Sequence, residues 1–579
     1  MFPEVEVEAE QPAPPAPAPD PPAVPLPDPP AGPPRDREPP GESIVVEEPP
    51  EPIGAEQPVE VDQLPDIVEP REHLDVRGYL GLRRFLGAAA RWAVLAGAAG
   101  VAAGLGASLF IAGLNWLTGT VNSARAALPW YLIVVFPAIG ATAVGYLLWR
   151  TDRVAFVSAC GTDSFIDAVG EANGRISPKV PLLRILGAWL TIGFGGSSGR
   201  ECPMIYTGAG LGSTVGGALQ ALRSRLRGNQ PGDGGNQPGD EAERTEPRVA
   251  AWRCALARIL DLSPADTRML ALCGAAGALG AVFSAPFGGA IFAVEVPYRR
   301  DINMGFFWPA LVSSFTGYAV GYLAVGRQRL LHVPSLHALS GREWALVVVL
   351  AVAASLVGRL FAGVFNGLHG LFRRLFREEG GRLPKWVQTG IGGLLAGLVM
   401  LAFPQVYGIG YQAIRDTAAG HLYAGHAMAA TALLFVGLGL GKILASSFTV
   451  GSGGVGGLLF PTMFTGAALG GVASAVASAL WPGQFPHTAA YVVIAMGATY
   501  AAAGKVPLAS LLLLCEATAN FSLAVPMAAA NGLAYLLSGR STVYDVQRER
   551  SEGDHRRGYL VAIAFLVVIV LIGRYVVAI

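Results

Sequence analysis

Charge is scarce in this sequence. Acidic and basic residues make up 15% of its 579 positions and cancel to a formal net charge of zero, while 52% of the chain is hydrophobic. No long basic tract lies within the hydrophobic part, so nucleic acid is not an expected partner: phosphate affinity scales with the Lys and Arg contacts made. Cysteine is sparse too. Cys160, Cys202, Cys254, Cys273 and Cys515 are scattered without a CxxC pair, and four of them lie in or beside apolar segments. Neither a disulfide framework nor a zinc site is indicated, and no cofactor is expected. The chain start lacks a basic stretch followed by an apolar core and a small-residue cleavage site, which argues against a signal peptide.

What is plentiful is apolar length. Mean hydropathy is +0.45, and the runs Trp92 to Leu117, Trp130 to Leu148, Trp344 to Phe361 and Tyr559 to Ile579 approach or exceed the roughly 20 residues of a bilayer-spanning helix. The expected class is an all-α polytopic membrane protein. Residues 1–75, dense in Pro, Glu and Asp, hold too little apolar bulk to offset the entropy of folding, and are expected to be a disordered tail, a docking arm or a plain spacer. Arg77, Arg83, Arg84 and Arg91 crowd the border of the first apolar run, which places the N-terminus in the cytoplasm and the protein in the cell membrane. A second polar interruption, residues 223–258, carries the tandem GNQPGDGGNQPGD and reads as a flexible loop outside the bilayer.

Many central apolar stretches are broken by Gly and Pro. Such breaks survive in a membrane only where they are buried in protein or line a water-filled path. They also repeat. At an offset of 258 residues Gly199 falls on Gly457, Pro203 on Pro461, and TGAGLG (Thr207 to Gly212) on TGAALG (Thr465 to Gly470). At an offset of 221, Pro286 falls on Pro507 and Glu295 on Glu516. Two homologous halves with broken helices at matching positions are the pattern of repeat-built transporters, whose site lies between the repeats near the midplane.

In each half a Gly run (GFGGSSG before Arg200, GSGGVGG before Leu458) leads into an apolar helix that would therefore start inside the membrane. Its first amides lack intrahelical acceptors. With the helix dipole they form an anion site, worth about 0.3–1 kcal/mol per exposed helix end and up to about 2 when partly buried. Glu201 stands at the first start, where a carboxylate costs at least about 2.5 kcal/mol to insert. It would occupy the anion site when ionised and vacate it on swinging out or taking a proton; a first-turn Glu merely complementing its dipole is the alternative.

These residues resemble the CLC chloride channels and chloride/proton exchangers. GRECP (Gly199 to Pro203) is similar to the family's G-R/K-E-G-P gate motif and GLLFP (Gly457 to Pro461) to its G-x-F-x-P motif; SAPFGGAIFAVE (Ser284 to Glu295) and EATANFSLAVPM (Glu516 to Met527) match later helices. The resemblance implies an inverted repeat of broken and re-entrant helices over residues 76–545, with halves at about 76–325 and 340–545. It also implies a homodimer passing chloride or a similar monovalent anion, in contact with membrane lipid. Glu201 then resembles the gating glutamate. Gly457 and the amides of Leu458 and Leu459 resemble anion ligands, Arg200 and Glu201 line the site above, and Tyr544 resembles the tyrosine whose hydroxyl faces the central anion; an exposed interfacial tyrosine is its plainer reading.

The sequence departs from the family in several places. The first anion motif, G-S-G-I-P, stands here as ACGTD (Ala159 to Asp163), so Cys160 and Gly161 open it and a thiol, the weaker donor, replaces a hydroxyl. Thr162 and Asp163 could instead simply cap that helix. Cys202 replaces a glycine; an inert buried thiol is the ordinary reading. Val296 stands where the exchangers carry an internal glutamate, which favours passive, voltage-gated-type conduction, with proton-coupled antiport as the alternative and Glu295 as a candidate relay. Lys442, before the second Gly loop, is a candidate vestibule charge at the inner mouth or a snorkelling lysine. After Tyr544 a charged linker, residues 546–558, leads to an extra spanning helix at 559–579. One rival class is an intramembrane serine protease, since GGSSG (Gly195 to Gly199) fits G-x-S-x-G. It needs a base beside the serine, and His369 comes closest to an apolar helix. No enzyme activity is expected.

Overall fold

The computed structural model describes residues 79–151, 160–227, 260–327, 330–336, 339–376, 384–421 and 427–550. The expected tail at 1–75, most of the 223–258 loop, residues 551–558 of the linker and the helix at 559–579 lie outside the described residues, as does Cys254.

Among the described residues the protein is helical, with two isolated bridges and no strand. Eight helices among the described residues precede residue 326. They are α1 Tyr79–Ala126, α2 Val135–Thr151, α3 Gly161–Gly170, α4 Lys179–Gly193, α5 Glu201–Arg227, α6 Pro264–Phe283, α7 Pro286–Glu295 and α8 Phe307–Val325. Eight more follow in the same order: α9 Gly341–Leu375, α10 Lys385–Ala402, α11 Tyr411–Ala418, α12 Met428–Gly451, α13 Leu459–Leu480, α14 Thr488–Gly504, α15 Pro507–Thr518 and α16 Ala524–Leu537.

The correspondence extends to single residues. Ser284 ends α6 at φ 51° and Lys505 ends α14 at φ 59°, both in the left-handed region. Two positions later Pro286 and Pro507 open α7 and α15, where a fixed φ and a missing N–H suit the first helical turn. Each short helix is followed by a 3-10 turn, Met304–Phe306 or Phe521–Leu523, and then by α8 or α16.

The halves are inverted relative to one another. Glu295, at the end of α7, accepts the Leu508 and Ala509 amides at the start of α15 (3.2 and 2.7 Å). Glu516, near the end of α15, accepts the Phe287 and Gly288 amides at the start of α7 (3.2 and 2.7 Å). The two helices therefore run antiparallel, each glutamate satisfying orphan amides of the other's first turn.

Six helices among the described residues are long and apolar enough to cross a membrane. The first, Ala88–Ala126, has 39 such residues, about 58 Å at 1.5 Å per residue, against a hydrocarbon core of roughly 30 Å; it must tilt or project. Close helix approach rests on small residues. A Cβ on Gly208 of α5 would strike the Gly274 carbonyl of α6, and one on Gly274 the Gly208 carbonyl. Backbone-to-backbone packing of this kind is how helices associate where lipid offers no hydrophobic contrast.

Candidate functional site

Three helix starts meet in the interior. The loop before α5 turns through Gly195 at φ 90° and the loop before α13 through Gly453 at φ 109°, conformations that favour glycine. The Gly199 N–H then donates to the Gly457 carbonyl (2.9 Å), joining the repeat-equivalent positions directly. The Ser197 N–H donates to Thr449 Oγ1 (3.2 Å), and the Ser197 and Ser446 hydroxyls pair at 3.1 Å. Cys160, just before α3, forms a parallel bridge with Gly456, and Gly161 abuts the Cys202 carbonyl so closely that a Cβ there would collide with it. The positive ends of α3, α5 and α13 thus converge at a position surrounded by buried residues.

Glu201 sits at this convergence, with none of its surface exposed. Its Oε1 accepts a hydrogen bond from the Tyr411 hydroxyl (2.8 Å) and lies 4.0 Å from Arg200 Nε. A Cβ on Gly199 would lie 2.5 Å from the Glu201 Oε2, so the carboxylate is folded back over the start of α5. Its Oε2 has no protein hydrogen-bond partner, nor does the buried Ser198 Oγ, and buried polar atoms of that kind ask for an explanation. Tyr411 is braced by two neighbours. The Arg200 guanidinium lies 5.1 Å from its ring centroid and the Phe460 ring packs edge-on at 4.3 Å. The repeat-equivalent residue, Leu459, is buried and apolar, so only one of the two starts carries a carboxylate.

Tyr544 completes the surround. It is fully buried, not exposed at an interface, and its hydroxyl lies 3.0 Å from that of Tyr500 on α14. Both tyrosines are within electrostatic range of Cys160 and Cys202. Tyr544 belongs to a non-helical segment pinned from several sides. The Val543 N–H donates to the Ala503 carbonyl (2.9 Å), and Gln547 Nε2 donates to the carbonyls of Val296 and Gly504 (2.9 Å each). Helix-start amides, two hydroxyls and two thiols can solvate a small anion without a full positive charge to trap it.

The sequence profile of the family described as voltage gated chloride channel matches residues 140–539. The chain belongs to this CLC family. It is 28% identical over 449 residues to a ClcB-like protein of Ralstonia nicotianae, covering 76% of this chain and 92% of that one. It is 26% identical over 434 residues to the voltage-gated ClC-type chloride channel ClcB of Citrobacter koseri, covering 72% and 90%. Its fold matches the crystal structure of a slow cyanobacterial Cl−/H+ antiporter with a TM-score of 0.61 at 18% identity, over 82% of this chain and 98% of that one. It is an integral, multi-pass membrane protein of an anion-transporting family.

As a CLC protein, the chain gathers most of the sequence-singled residues in one place: Cys160, Gly161, Arg200, Glu201, Gly457, Leu458, Leu459 and Tyr544. Glu295 stands apart from this cluster, whereas Lys442 is close enough to Glu201 for their charges to interact. Both Glu295 oxygens are engaged by the α15 amides, and the neighbouring Val296 is wholly buried with its carbonyl held by Gln547. Lys442 faces no open mouth. Its ammonium is fully buried and donates to the carbonyls of Val406 (3.3 Å), Gly408 (2.8 Å) and Ile409 (3.0 Å), with the Phe464 ring at 5.0 Å. It thereby fixes the strand of backbone leading into Tyr411. A separate group of basic side chains, Arg299, Arg300 and Arg359, lies within electrostatic range of Lys505.

Sequence reasoning missed Tyr411 and Tyr500. Tyr500 lies in a 17-residue apolar helix, where a lone tyrosine reads as packing. Tyr411 opens an eight-residue helix, too short for periodicity to orient it. For the protease reading, the two residues it singled out do not pair with each other. Ser197 pairs with Ser446, whereas His369 Nδ1 pairs with the Gly451 carbonyl (3.0 Å).

Proposed function

We propose that this protein is a passive pathway for chloride or a similar monovalent anion, gated by the Glu201 carboxylate. The observation that carries the reading is the seat of that carboxylate: an acceptor group lies folded over a helix start, where an anion would otherwise be held, and one hydrogen bond from Tyr411 keeps it there. When the carboxylate leaves, the amides at the starts of α5 and α13, including those of Arg200, Leu458 and Leu459, face the site together with Tyr544. Cys160 and Gly161 form its third side.

Passive conduction is supported by the surroundings of Val296. No titratable side chain occupies that position, and the adjacent Glu295 serves as a cap with both oxygens hydrogen-bonded. A proton passing between Glu201 and the Tyr544 side finds no relay there. The second reading, proton-coupled antiport, is favoured by the fold likeness to a Cl−/H+ antiporter. The protein would act as a homodimer in the cell membrane, in contact with lipid and with its N-terminus cytoplasmic. Chloride efflux and pH followed together in proteoliposomes separate the two readings: uphill proton movement driven by a chloride gradient overturns the passive one. Efflux unaltered by Glu201→Ala, at every pH tested, overturns the gate.

A further inference from the structure

Cys160 and Cys202 are 42 residues apart in sequence and meet at the site. Gly161, next to Cys160, abuts the Cys202 carbonyl, the two thiols lie within side-chain interaction range, and they are only 1% and 0% exposed. Cys160 precedes α3; Cys202 is the second residue of α5, adjacent to Glu201. The Cys202 sulfur fills the space beside Gly457, where a Cβ would lie 2.5 Å from it. The other described cysteines, Cys273 and Cys515, sit within α6 and α15.

A buried thiol is ordinarily inert packing. This pair differs in three respects. Both cysteines stand at the starts of helices, whose amides and dipole offset part of what burial costs a thiolate, the nucleophilic form. A resolving thiol is already within side-chain interaction range. The pair also lines the position that the proposed pathway opens to water and small solutes.

We propose that Cys160 and Cys202 are an oxidisable dithiol that closes to a disulfide when hydrogen peroxide reaches the anion site, and that the cross-link arrests transport. One thiolate sulfur attacks a peroxide oxygen, breaking the O–O bond to give a sulfenic acid, and the released hydroxide takes up a proton to become water. The second thiol then displaces the sulfenic hydroxyl, forming the S–S bond and a second water. Two thiols lose two electrons and two protons; one peroxide is reduced to two waters. The sulfurs must close to about 2.0 Å, which draws the start of α3 against the first turn of α5. That removes two donors from the site and restrains the backbone on which Glu201 moves. The cross-link itself depends only on the proximity of the two thiols, whereas its effect on flux rests on the reading of Glu201 as the gate of an anion pathway.

The test uses the full chain in liposomes, treated with hydrogen peroxide, then with N-ethylmaleimide to block remaining thiols, and mapped by mass spectrometry with and without reduction. The expected result is a Cys160–Cys202 linked peptide, together with chloride efflux that falls several-fold and recovers on adding dithiothreitol. In Cys160→Ser and Cys202→Ser, each compared with its own untreated efflux, peroxide has no effect. An unlinked pair after treatment, or a link formed to Cys254, Cys273 or Cys515 instead, overturns the dithiol. A linked pair with undiminished efflux overturns the arrest. Absence of efflux before any treatment is a failure of the transport reading, and the peptide map still decides the dithiol.

Discussion

One hydrogen bond from a residue in the other half of the chain holds the Glu201 carboxylate in place. A bond to a charged acceptor contributes about 1.5–3 kcal/mol, enough to shift a two-state equilibrium by about tenfold or more. Tyr411→Phe removes that bond while keeping the ring against Arg200 and Phe460, so the seated state of the gate is weakened. Efflux from proteoliposomes containing Tyr411→Phe is expected to exceed wild type; unchanged or lower efflux would count against the seat. Protonation neutralises the carboxylate and releases it from the helix start. Wild-type efflux should therefore rise as pH falls, and Glu201→Gln should give a high, flat pH profile. Gly199→Ala probes the same seat from below. A Cβ there would lie 2.5 Å from Glu201 Oε2 and 3.0 Å from the Phe460 Cβ, so the carboxylate must shift from its seat, and a flattened pH profile in stopped-flow or electrode assays is the expected outcome.

At the scale of elements, α7 and α15 act as one unit because each caps the other. Glu295→Gln and Glu516→Gln each replace a carboxylate oxygen that accepts an amide with a group that cannot, leaving a buried donor unpaired at a cost of about 1–3 kcal/mol. Either change should lower the thermal midpoint in detergent, and a sub-additive double variant is expected because the two caps share one interface. Full additivity would mean the caps are independent. This pair also shows where sequence reading stops. The Pro-to-Glu spacing repeated at an offset of 221 was legible, and so was the start of a broken helix after each Gly run. The partner of each glutamate was not, because it belongs to the opposite half and no local pattern encodes a contact across 213 residues. Lys442 is the same case in reverse: an isolated lysine in an apolar run looks like a charge facing water, yet three carbonyls of a loop some 33 to 36 residues earlier enclose it.

Over the whole molecule, two inverted halves bring helix starts from each to one buried point, where Glu201 of one half stands against Leu459 of the other. The fold class was readable because apolar length, Gly-broken helices and the repeat all point the same way. The contribution of Tyr411 was not, since it depends on where a short helix lands after folding. Val296 and the engaged Glu295 bear on what the assembly does with protons, and so on the central claim of a passive, Glu201-gated anion pathway. The most direct test is simultaneous recording of chloride and pH from liposomes holding the protein under a chloride gradient. The account predicts chloride efflux without coupled proton uptake in wild type, and pH-independent efflux in Glu201→Ala; proton movement against its gradient, in fixed ratio to chloride, would contradict it.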